Sequence, residues 1–344
     1  MRLQIRAFSR NRVLRAVFTG SFHLLRVIAL LLCVSSLAFM LIANAPIDPL
    51  TAFIGAESAL SPEARAEIVA HWGLDQDGVQ RYFMWLGNVL HGDFGYSLSY
   101  QAPVAAVIVG RFTASLLLMI SAWLVAGIFG FLLGVICGLR AGSVFDRLVT
   151  SIVLALKSAP TFWLGLVILT IFAVILGWFP IGMNAPLGKL AAEVTFTDRL
   201  HHLVLPAFTL ALVSIGDVLL YTREKVCTEL HSQMADYARA RGESTRQLTW
   251  RHILRNVSLP AITVQFASFN ELFGGMALAE NVFSYPGIGS ALTASALAAD
   301  VPLLLGISVF SAIFVFAGNG IANLLYSVID PRIRRAHGIS RTKK

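Results

Sequence analysis

Residues 234–260 read MADYARARGESTRQLTWRHILRNVSLP, and this stretch decides how the rest of the chain is arranged. It is charged and helix-forming, yet it lies between two blocks that are too apolar for a soluble protein. A polar segment held at a membrane face presents a surface to which a partner outside the membrane can dock. The sequence therefore predicts a membrane protein with one loop specialised for an interaction.

The flanking sequence predicts six transmembrane helices and an all-α membrane protein. The chain is 56% hydrophobic and only 13% charged, well below the charged fraction of about a quarter in soluble proteins. Four uncharged runs each exceed the ~20 residues that span hydrocarbon: 27–47, 112–139, 158–188 and 301–329. Two further apolar blocks, 203–222 and 256–282, are interrupted by acidic residues.

The basic residues that give the net charge of +8 are concentrated in every second loop along the chain, which argues against a nucleic-acid-binding patch. With the N-terminus inside, the inner segments hold 20 basic residues and the outer segments hold five. This is the positive-inside pattern, and it predicts that both termini lie in the cytoplasm. The alternative for residues 1–45 is a cleaved signal peptide. Against it, Pro46 would directly follow the cleavage site, and the apolar run is long for the apolar region of a signal peptide.

The inner loop, residues 223–258, is predicted to fold as two helices. The first, about Lys225–Arg241, continues the fourth span and stops at Gly242, since glycine tolerates the left-handed turn that ends many helices. Ser244 then begins a second helix, and Gln247 completes a capping box.

The second helix of this loop carries apolar side chains and is predicted to end near Asn256. Its apolar residues are Leu248, Trp250, Ile253 and Leu254. Such a helix fits either a groove on a soluble partner or the headgroup layer of the membrane, and the pattern alone leaves both open.

The first outer segment, residues 46–103, is predicted to contain short helices. Ser61-Pro62-Glu63 is a helix start and Gly73 a stop. A second helix is predicted from about Val79 to Leu90, with Tyr82, Leu86 and Val89 on one face. The segment is either a small folded cap on the outer face or an ordinary ordered loop.

Four ionisable residues fall within apolar stretches: Lys157, Asp217, Glu271 and Glu280. Charges at this depth are costly and normally face the interior of a helix bundle, so they are candidates for the translocation pathway. Three interpretations remain open at this stage. The residues pair with one another to hold spans together, they recognise substrate, or they extend to an interface.

Neither metal nor nucleotide chemistry is indicated in this chain. The cysteines at 33, 137 and 227 have no metal-ligand spacing, so no metal site, catalytic residue or bound cofactor is predicted. The nearest approach to a phosphate-binding loop is Gly182-Met-Asn-Ala-Pro-Leu-Gly-Lys-Leu190, which has one residue too many and lacks the final hydroxyl.

A collinear series of motifs resembles the dipeptide/oligopeptide/nickel-type permeases of ABC transporters. In the inner loop, Asp236, Tyr237, Ala238 and Gly242 match the core of the family's coupling loop, and Val257-Ser-Leu-Pro260 its end. The other matches are Ala45-Pro-Ile-Asp-Pro49, Gly73-Leu-Asp75, Gly92-Asp-Phe-Gly-Tyr-Ser97, Gly138-Leu-Arg140 with Asp146-Arg147, Pro160-Thr-Phe-Trp-Leu164, Leu203-Val-Leu-Pro206, Glu280-Asn-Val-Phe-Ser-Tyr-Pro-Gly-Ile-Gly289 and Asp330-Pro-Arg-Ile-Arg334. The chain has Ile47 where the family usually has glycine.

The resemblance covers residues 24–335 as a permease domain, with 46–103 as a periplasmic cap and 223–258 as the coupling loop. Residues 1–23 and 336–344 lie outside it as basic cytoplasmic tails. It further implies that ten residues couple the chain to an ATPase: Asp236, Tyr237, Ala238, Gly242, Ser244, Gln247, Leu248, Trp250, Ile253 and Leu254. Glu280 matches a family position, whereas Lys157, Asp217 and Glu271 stand where the family is usually apolar or small.

The function implied by the resemblance is that of a permease subunit in an ATP-driven importer of the bacterial inner membrane. Its partners would be a homologous second permease, two ATP-binding subunits that carry ATP and Mg, and a periplasmic or extracellular substrate-binding protein. Short peptides are the expected substrates, with nickel or a metal chelate as the alternative. A stand-alone secondary transporter and an intramembrane enzyme are the rival classes.

Overall fold

The protein is described by a computed structural model that covers residues 25–41, 78–190 and 192–329, without the side chains of residue 270 and residues 322–329. The predicted helix start at Ser61-Pro62-Glu63 and both basic tails lie outside these residues. Over the described part the chain is predominantly helical, as the sequence predicts. The structure adds one hairpin of two two-residue strands, which the sequence does not predict.

The elements follow one another in a simple order. They are α1 (Leu25–Leu41), α2 (Gly78–Leu90), β1 (Tyr96–Ser97), β2 (Ala102–Pro103), α3 (Val104–Leu139), α4 (Val144–Ser158), α5 (Thr161–Leu169), α6 (Phe196–Leu230), α7 (Gln233–Ala240), α8 (Thr245–Leu248), α9 (Leu254–Ala267), α10 (Phe269–Val282), α11 (Ile288–Leu297) and α12 (Val301–Ile329). Two π-helical turns, Thr170–Ile175 and Thr249–Ile253, extend α5 and join α8 to α9.

Within the described residues, three helices are long and apolar enough to cross a membrane: α3, α6 and α12. A fourth span is added if α4 and α5 with its π-turn, which meet at a bend of 109°, are counted together. The bend lies at the start of the uncharged run 158–188 that was predicted as a span, and this run is helical over Thr161–Ile175. Pro160 has φ −61° and ψ 134°, an extended conformation that ends α4 and starts α5 in a new direction.

The apolar block 256–282 is also divided. Helix α9 ends at Ala267 and α10 begins at Phe269, with Ser268 between them at φ −69° and ψ −10°. The Ser268 hydroxyl donates to the carbonyl of Gln265 at 2.9 Å, which satisfies one acceptor at the break.

The chain divides into two compact units, the first comprising Met1–Ile108 and Ala294–Phe316. In this unit the β1–β2 hairpin is fixed by a buried carboxylate that precedes α12. Asp300 accepts hydrogen bonds from the Ser97 hydroxyl at 2.7 Å and the Ser99 amide at 3.0 Å. Its second oxygen accepts from the Leu303 amide at 3.3 Å and so caps α12.

Helix α2 of the first unit confirms the predicted helix from about Val79 to Leu90, starting one residue earlier at Gly78. The predicted face is the one that makes contacts, because the Tyr82 hydroxyl lies 2.8 Å from the Ser35 hydroxyl. The Tyr82 ring also lies 5.5 Å from the ring of Phe39 on α1.

The second unit comprises Val109–Thr293 and Ala317–Lys344. Here α3 packs against α6 along three glycines spaced four residues apart. A Cβ atom on Gly134 would lie 2.7 Å from the Leu219 carbonyl, and one on Gly138 would lie 2.6 Å from Val226. Gly130 approaches Ile215 in the same way. Small residues at this spacing let two membrane helices approach closely, which stabilises the pair by dispersion contacts.

Candidate functional site

The inner loop begins with a helix break that the sequence analysis did not predict. Helix α6 ends at Leu230, and Ser232 is extended, with its hydroxyl accepting from the Ala235 amide at 3.3 Å. The Arg239 guanidinium donates to the carbonyl of Leu230 at 2.8 Å and satisfies the end of α6. A continuous helix over Lys225–Arg241 is therefore wrong, because Ser232 caps a new helix instead of extending the old one.

The predicted turn at Gly242 is confirmed. Gly242 has φ +81°, in the left-handed region, and its amide donates to the carbonyl of Arg239 at 2.9 Å. The predicted capping box follows directly. The Gln247 amide donates to the Ser244 hydroxyl at 3.3 Å, and the Ser244 amide donates to the Gln247 side chain at 2.9 Å.

The second helix of the loop does not end near Asn256 as predicted. After α8 the chain continues through the π-turn Thr249–Ile253 into α9, so one helical stretch runs from Thr245 to Ala267. Asn256 does not stop the helix, because its side chain donates to Glu229 at 3.1 Å instead of to the local backbone. The loop therefore continues directly into α9.

Of the four apolar side chains predicted on this helix, two are buried within the chain and a third is half-buried. Leu248 is 1% exposed and Ile253 is 0% exposed. They belong to a core cluster that also contains Val135, Ala235, Ala238, Val226 and Val257, with Leu254 packed against it. These residues anchor the loop on α3 and α6, which is why they cannot reach a groove on another protein.

The exposed residues of the loop form a different surface, which is aromatic and basic. Tyr237 is 67% exposed and Trp250 is 69% exposed. The Arg241 guanidinium lies 5.9 Å from the centre of the Tyr237 ring. We define the coupling surface as these residues and their exposed neighbours, Asp236, Gly242, Ser244, Gln247 and Arg251. Arg241 and Arg251 were not among the residues predicted for this surface.

The coupling surface is held by short polar links. Asp236 and Arg239 form an exposed ion pair at 3.0 Å within α7. His252 lies 3.2 Å from Glu243, which ties the π-turn to the Gly242 turn. The position of Trp250 is therefore fixed by the buried cluster below it and by polar contacts beside it.

The helices next to the loop are joined by a buried ion pair. Asp146, in the first turn of α4, is 1% exposed and accepts from the Arg223 guanidinium at 2.5 and 2.7 Å. Its second oxygen also accepts from the Gly142 amide at 2.9 Å. This bidentate contact fixes α4 to the C-terminal part of α6.

The charged candidates within the spans separate into three environments. Lys157 and Asp217 form an ion pair between α4 and α6, so the pairing interpretation describes these two residues. Val153, Ile215 and Leu219 fill the space between this pair and the Asp146–Arg223 pair. Helix α4 is thus held on α6 by an ion pair near each end and an apolar contact in the middle.

Glu280 is fully buried and is not open to a passage within the described chain. Its carboxylate accepts from the Ser115 hydroxyl at 2.5 Å, the Gly289 amide at 2.8 Å and the Ser290 amide at 3.1 Å. Gly287 has no side chain, which leaves room for this carboxylate. Glu280 therefore fixes the turn between α10 and α11, where negative charge is favoured by the start of α11.

Glu271 is the remaining candidate. It lies in the first turn of α10 and its side chain is exposed. Among the described ion pairs none involves Glu271. Of the three acids, Asp217 pairs with Lys157, while Glu280 is satisfied by a hydroxyl and backbone amides.

Comparison with known proteins identifies the family of this chain. Residues 130–335 match the family described as the binding-protein-dependent transport system inner membrane component. The oligopeptide transport system permease protein AppB of Bacillus subtilis is 34% identical over 89% of this chain and 96% of its own length. The di/tripeptide transport system permease protein DppB of Pseudomonas aeruginosa is 34% identical over 88% of this chain and 94% of its own.

The dipeptide transport system permease protein DppB of Escherichia coli K12 is 30% identical, again over 88% of this chain and 94% of its own length. These matches extend beyond the coupling loop to most of the chain. The resemblance inferred from the motifs is confirmed, and the chain belongs to the family of binding-protein-dependent transport system inner membrane components.

Proposed function

We propose that this chain is the permease subunit of an ATP-driven importer and forms half of a translocation pathway for short peptides. The observation that carries the proposal is the similarity to three peptide permeases over 88–89% of the chain. The exposed aromatic and basic coupling surface supports it, because a stand-alone carrier does not require a docking face of this kind. No catalytic role is assigned to the chain itself.

The proposed complex contains this chain, a homologous permease and two ATP-binding subunits, with ATP and Mg bound by the latter. A periplasmic or extracellular binding protein delivers the peptide. In this proposal the chain crosses the membrane six times, with both termini and the coupling surface in the cytoplasm. This orientation agrees with the positive-inside pattern, because the cytoplasmic segments then hold 20 basic residues and the outer segments hold five.

Mechanical coupling in this proposal uses the unbroken helical stretch from Thr245 to Ala267. Closure of the ATP-binding subunits displaces Trp250, and the helical stretch carries the displacement along α9 towards α10. The Asp146–Arg223 pair and the buried cluster around Leu248 move with it, because they attach neighbouring helices to the same loop. The result is alternating access driven by differential binding of nucleotide to the two states.

The proposal is tested by uptake into proteoliposomes that contain the complete complex and its binding protein. We expect uptake of dipeptides and tripeptides that requires hydrolysable ATP and stops when a non-hydrolysable analogue replaces it. The matched arms are a nickel chelate as substrate and an imposed proton gradient without ATP. Uptake of the nickel chelate without peptide uptake would show that the substrate is a metal chelate and not a peptide. Peptide uptake driven by the gradient alone would show that the protein is a secondary transporter.

A further inference from the structure

Helix α2 in the first unit carries an exposed apolar stripe. Val79, Phe83 and Leu90 follow one another at intervals of four and seven residues, so they lie on one side of the helix. Their side chains are 56%, 63% and 79% exposed. Asn88 is also exposed, but it lies about 140° around the helix from Phe83 at 3.6 residues per turn. The helix is therefore amphipathic, and the described chain leaves its apolar stripe uncovered.

The remaining apolar side of α2 packs on α1 at a depth that the contacts define. The Tyr82 hydroxyl lies 2.8 Å from the Ser35 hydroxyl, and the Tyr82 ring lies 5.5 Å from the Phe39 ring. Both α1 residues fall within the uncharged run 27–47. At ~1.5 Å per residue, Phe39 lies ~3 Å and Ser35 ~9 Å before Leu41, the last residue of α1. Helix α2 thus meets the apolar part of α1 close to its C-terminal end.

The surface of α1 at this level is apolar as well. Leu37 is 57% exposed and Leu41 is 66% exposed. In a span, side chains of this kind face acyl chains, since the bilayer core contains no water. The Phe83 ring lies 5.6 Å from the Tyr82 ring, which in turn contacts Phe39. The acyl chains that surround α1 at Leu37 and Leu41 therefore also reach Phe83.

The chemistry and depth of α2 select its occupant. An amphipathic helix at a membrane surface buries its apolar face about 5–10 Å into the boundary between headgroups and acyl chains. Aromatic residues are enriched at this boundary, and α2 carries Tyr82, Phe83 and Trp85 within four positions. A soluble protein approaches from the water side, where it meets Asn88, and does not reach the depth of Ser35.

We propose that α2 is an interfacial membrane helix that inserts Val79, Phe83 and Leu90 among the acyl chains of the outer leaflet. This inference rests on the proposed function in taking α1 as a span and residues 46–103 as the outer segment. A binding protein that docks on this segment then contacts the polar side of α2, and its apolar stripe is occupied by lipid.

Insertion of α2 also constrains the chain that follows it in the same unit. In the turn after the helix, the Asp93 carboxylate accepts from the Gly95 amide at 2.8 Å. The next hairpin is held by Asp300, which accepts from the Ser97 hydroxyl at 2.7 Å just before α12. A helix anchored in lipid therefore fixes the level of this hairpin beside the start of α12.

Spin labels at three positions test the proposal in the complete complex in lipid nanodiscs. In a chain whose three cysteines are replaced by serine, a nitroxide is attached to Phe83→Cys, Asn88→Cys or Leu37→Cys. Power saturation measures its collisions with oxygen, which concentrates in hydrocarbon, and with chromium oxalate, which stays in water. The ratio of oxygen to chromium oxalate collisions should be at least about fivefold higher at Phe83→Cys and Leu37→Cys than at Asn88→Cys, because hydrocarbon excludes charged species.

Each other outcome contradicts a defined part of the account. A water-like ratio at Leu37→Cys means that α1 is not a span, and the six-span topology then falls together with this inference. A lipid-like ratio at Leu37→Cys with a water-like ratio at Phe83→Cys refutes the interfacial helix alone. Shielding of Phe83→Cys from both reagents means that protein covers the stripe, and a lipid-like ratio at Asn88→Cys means that the whole helix is immersed. Both results overturn the proposal.

A second measurement uses the unmodified chain. The wild-type complex is placed in nanodiscs with a phospholipid that carries a diazirine on its acyl chain, photolysed, and mapped by mass spectrometry. We expect labels at Val79, Phe83 or Leu90 in addition to labels on α1. Labels on α1 without any on α2 would show that lipid does not occupy the stripe.

Discussion

Replacing Gly242 with proline should abolish peptide-stimulated ATP hydrolysis and reduce uptake to the background of an uncoupled complex. Gly242 has φ +81°, whereas proline holds φ near −65°. The substitution also removes the amide that donates to the Arg239 carbonyl at 2.9 Å. The turn cannot form, so the capping box at Ser244 and the exposed Trp250 are displaced from the coupling surface.

The control for this prediction is a second substitution at the same position. Gly242→Asn should retain at least a third of the wild-type stimulated rate, because asparagine visits the left-handed region at a cost of about 1–2 kcal/mol or less. No atom lies within 4 Å of a Cβ placed here, so backbone conformation and not steric collision separates the two variants. Stimulated hydrolysis that is equal in the two correctly assembled variants would refute the role of the turn.

Replacing Asp146 with alanine should cause the largest loss of stability among single changes at the described ion pairs. The carboxylate is 1% exposed and accepts two bonds from Arg223 and one from the Gly142 amide. Removing one partner of a buried ion pair typically costs about 3–5 kcal/mol, and we expect the lower end of this range because the Arg223 side chain is 28% exposed. We expect a lower melting temperature of the purified complex and a smaller assembled fraction.

Two comparisons isolate this effect. Asp236→Ala breaks a pair with Arg239 in which the side chains are 70% and 50% exposed, and it should cost no more than about 1 kcal/mol. Combining Asp146→Asn with Arg223→Met removes both charges and should recover part of the lost stability. A melting temperature of Asp146→Ala equal to that of Asp236→Ala would show that the buried pair does not hold α4 on α6.

Features set by local backbone chemistry could be predicted from the sequence. The Gly242 turn, the Ser244–Gln247 capping box and helix α2 each depend on a few neighbouring residues, and all three are confirmed. The 109° bend at Pro160 was missed because proline is also tolerated inside membrane helices, so its presence does not specify a direction.

Features set by distant partners could not be predicted in the same way. The inward orientation of Leu248 and Ile253 depends on Val135 and Val226, which come from helices α3 and α6. The depth of Lys157 and Asp217 marked them as a possible pair, but only the fold places them together. The contact between Gln265 and Trp123 was not predicted, because the two residues are 142 positions apart in the sequence.

The central claim is that the exposed face of this loop docks on an ATP-binding subunit, and site-specific cross-linking tests it most directly. In a chain whose three cysteines are replaced by serine, Trp250→Cys and Leu248→Cys are each treated with a short bifunctional thiol reagent in the assembled complex. Trp250 is 69% exposed and Leu248 is 1% exposed, two residues apart. The account predicts a nucleotide-sensitive cross-link to the ATP-binding subunit from Trp250→Cys and none from Leu248→Cys. Absence of that cross-link from Trp250→Cys in a complex that copurifies with its ATP-binding subunits would contradict the account.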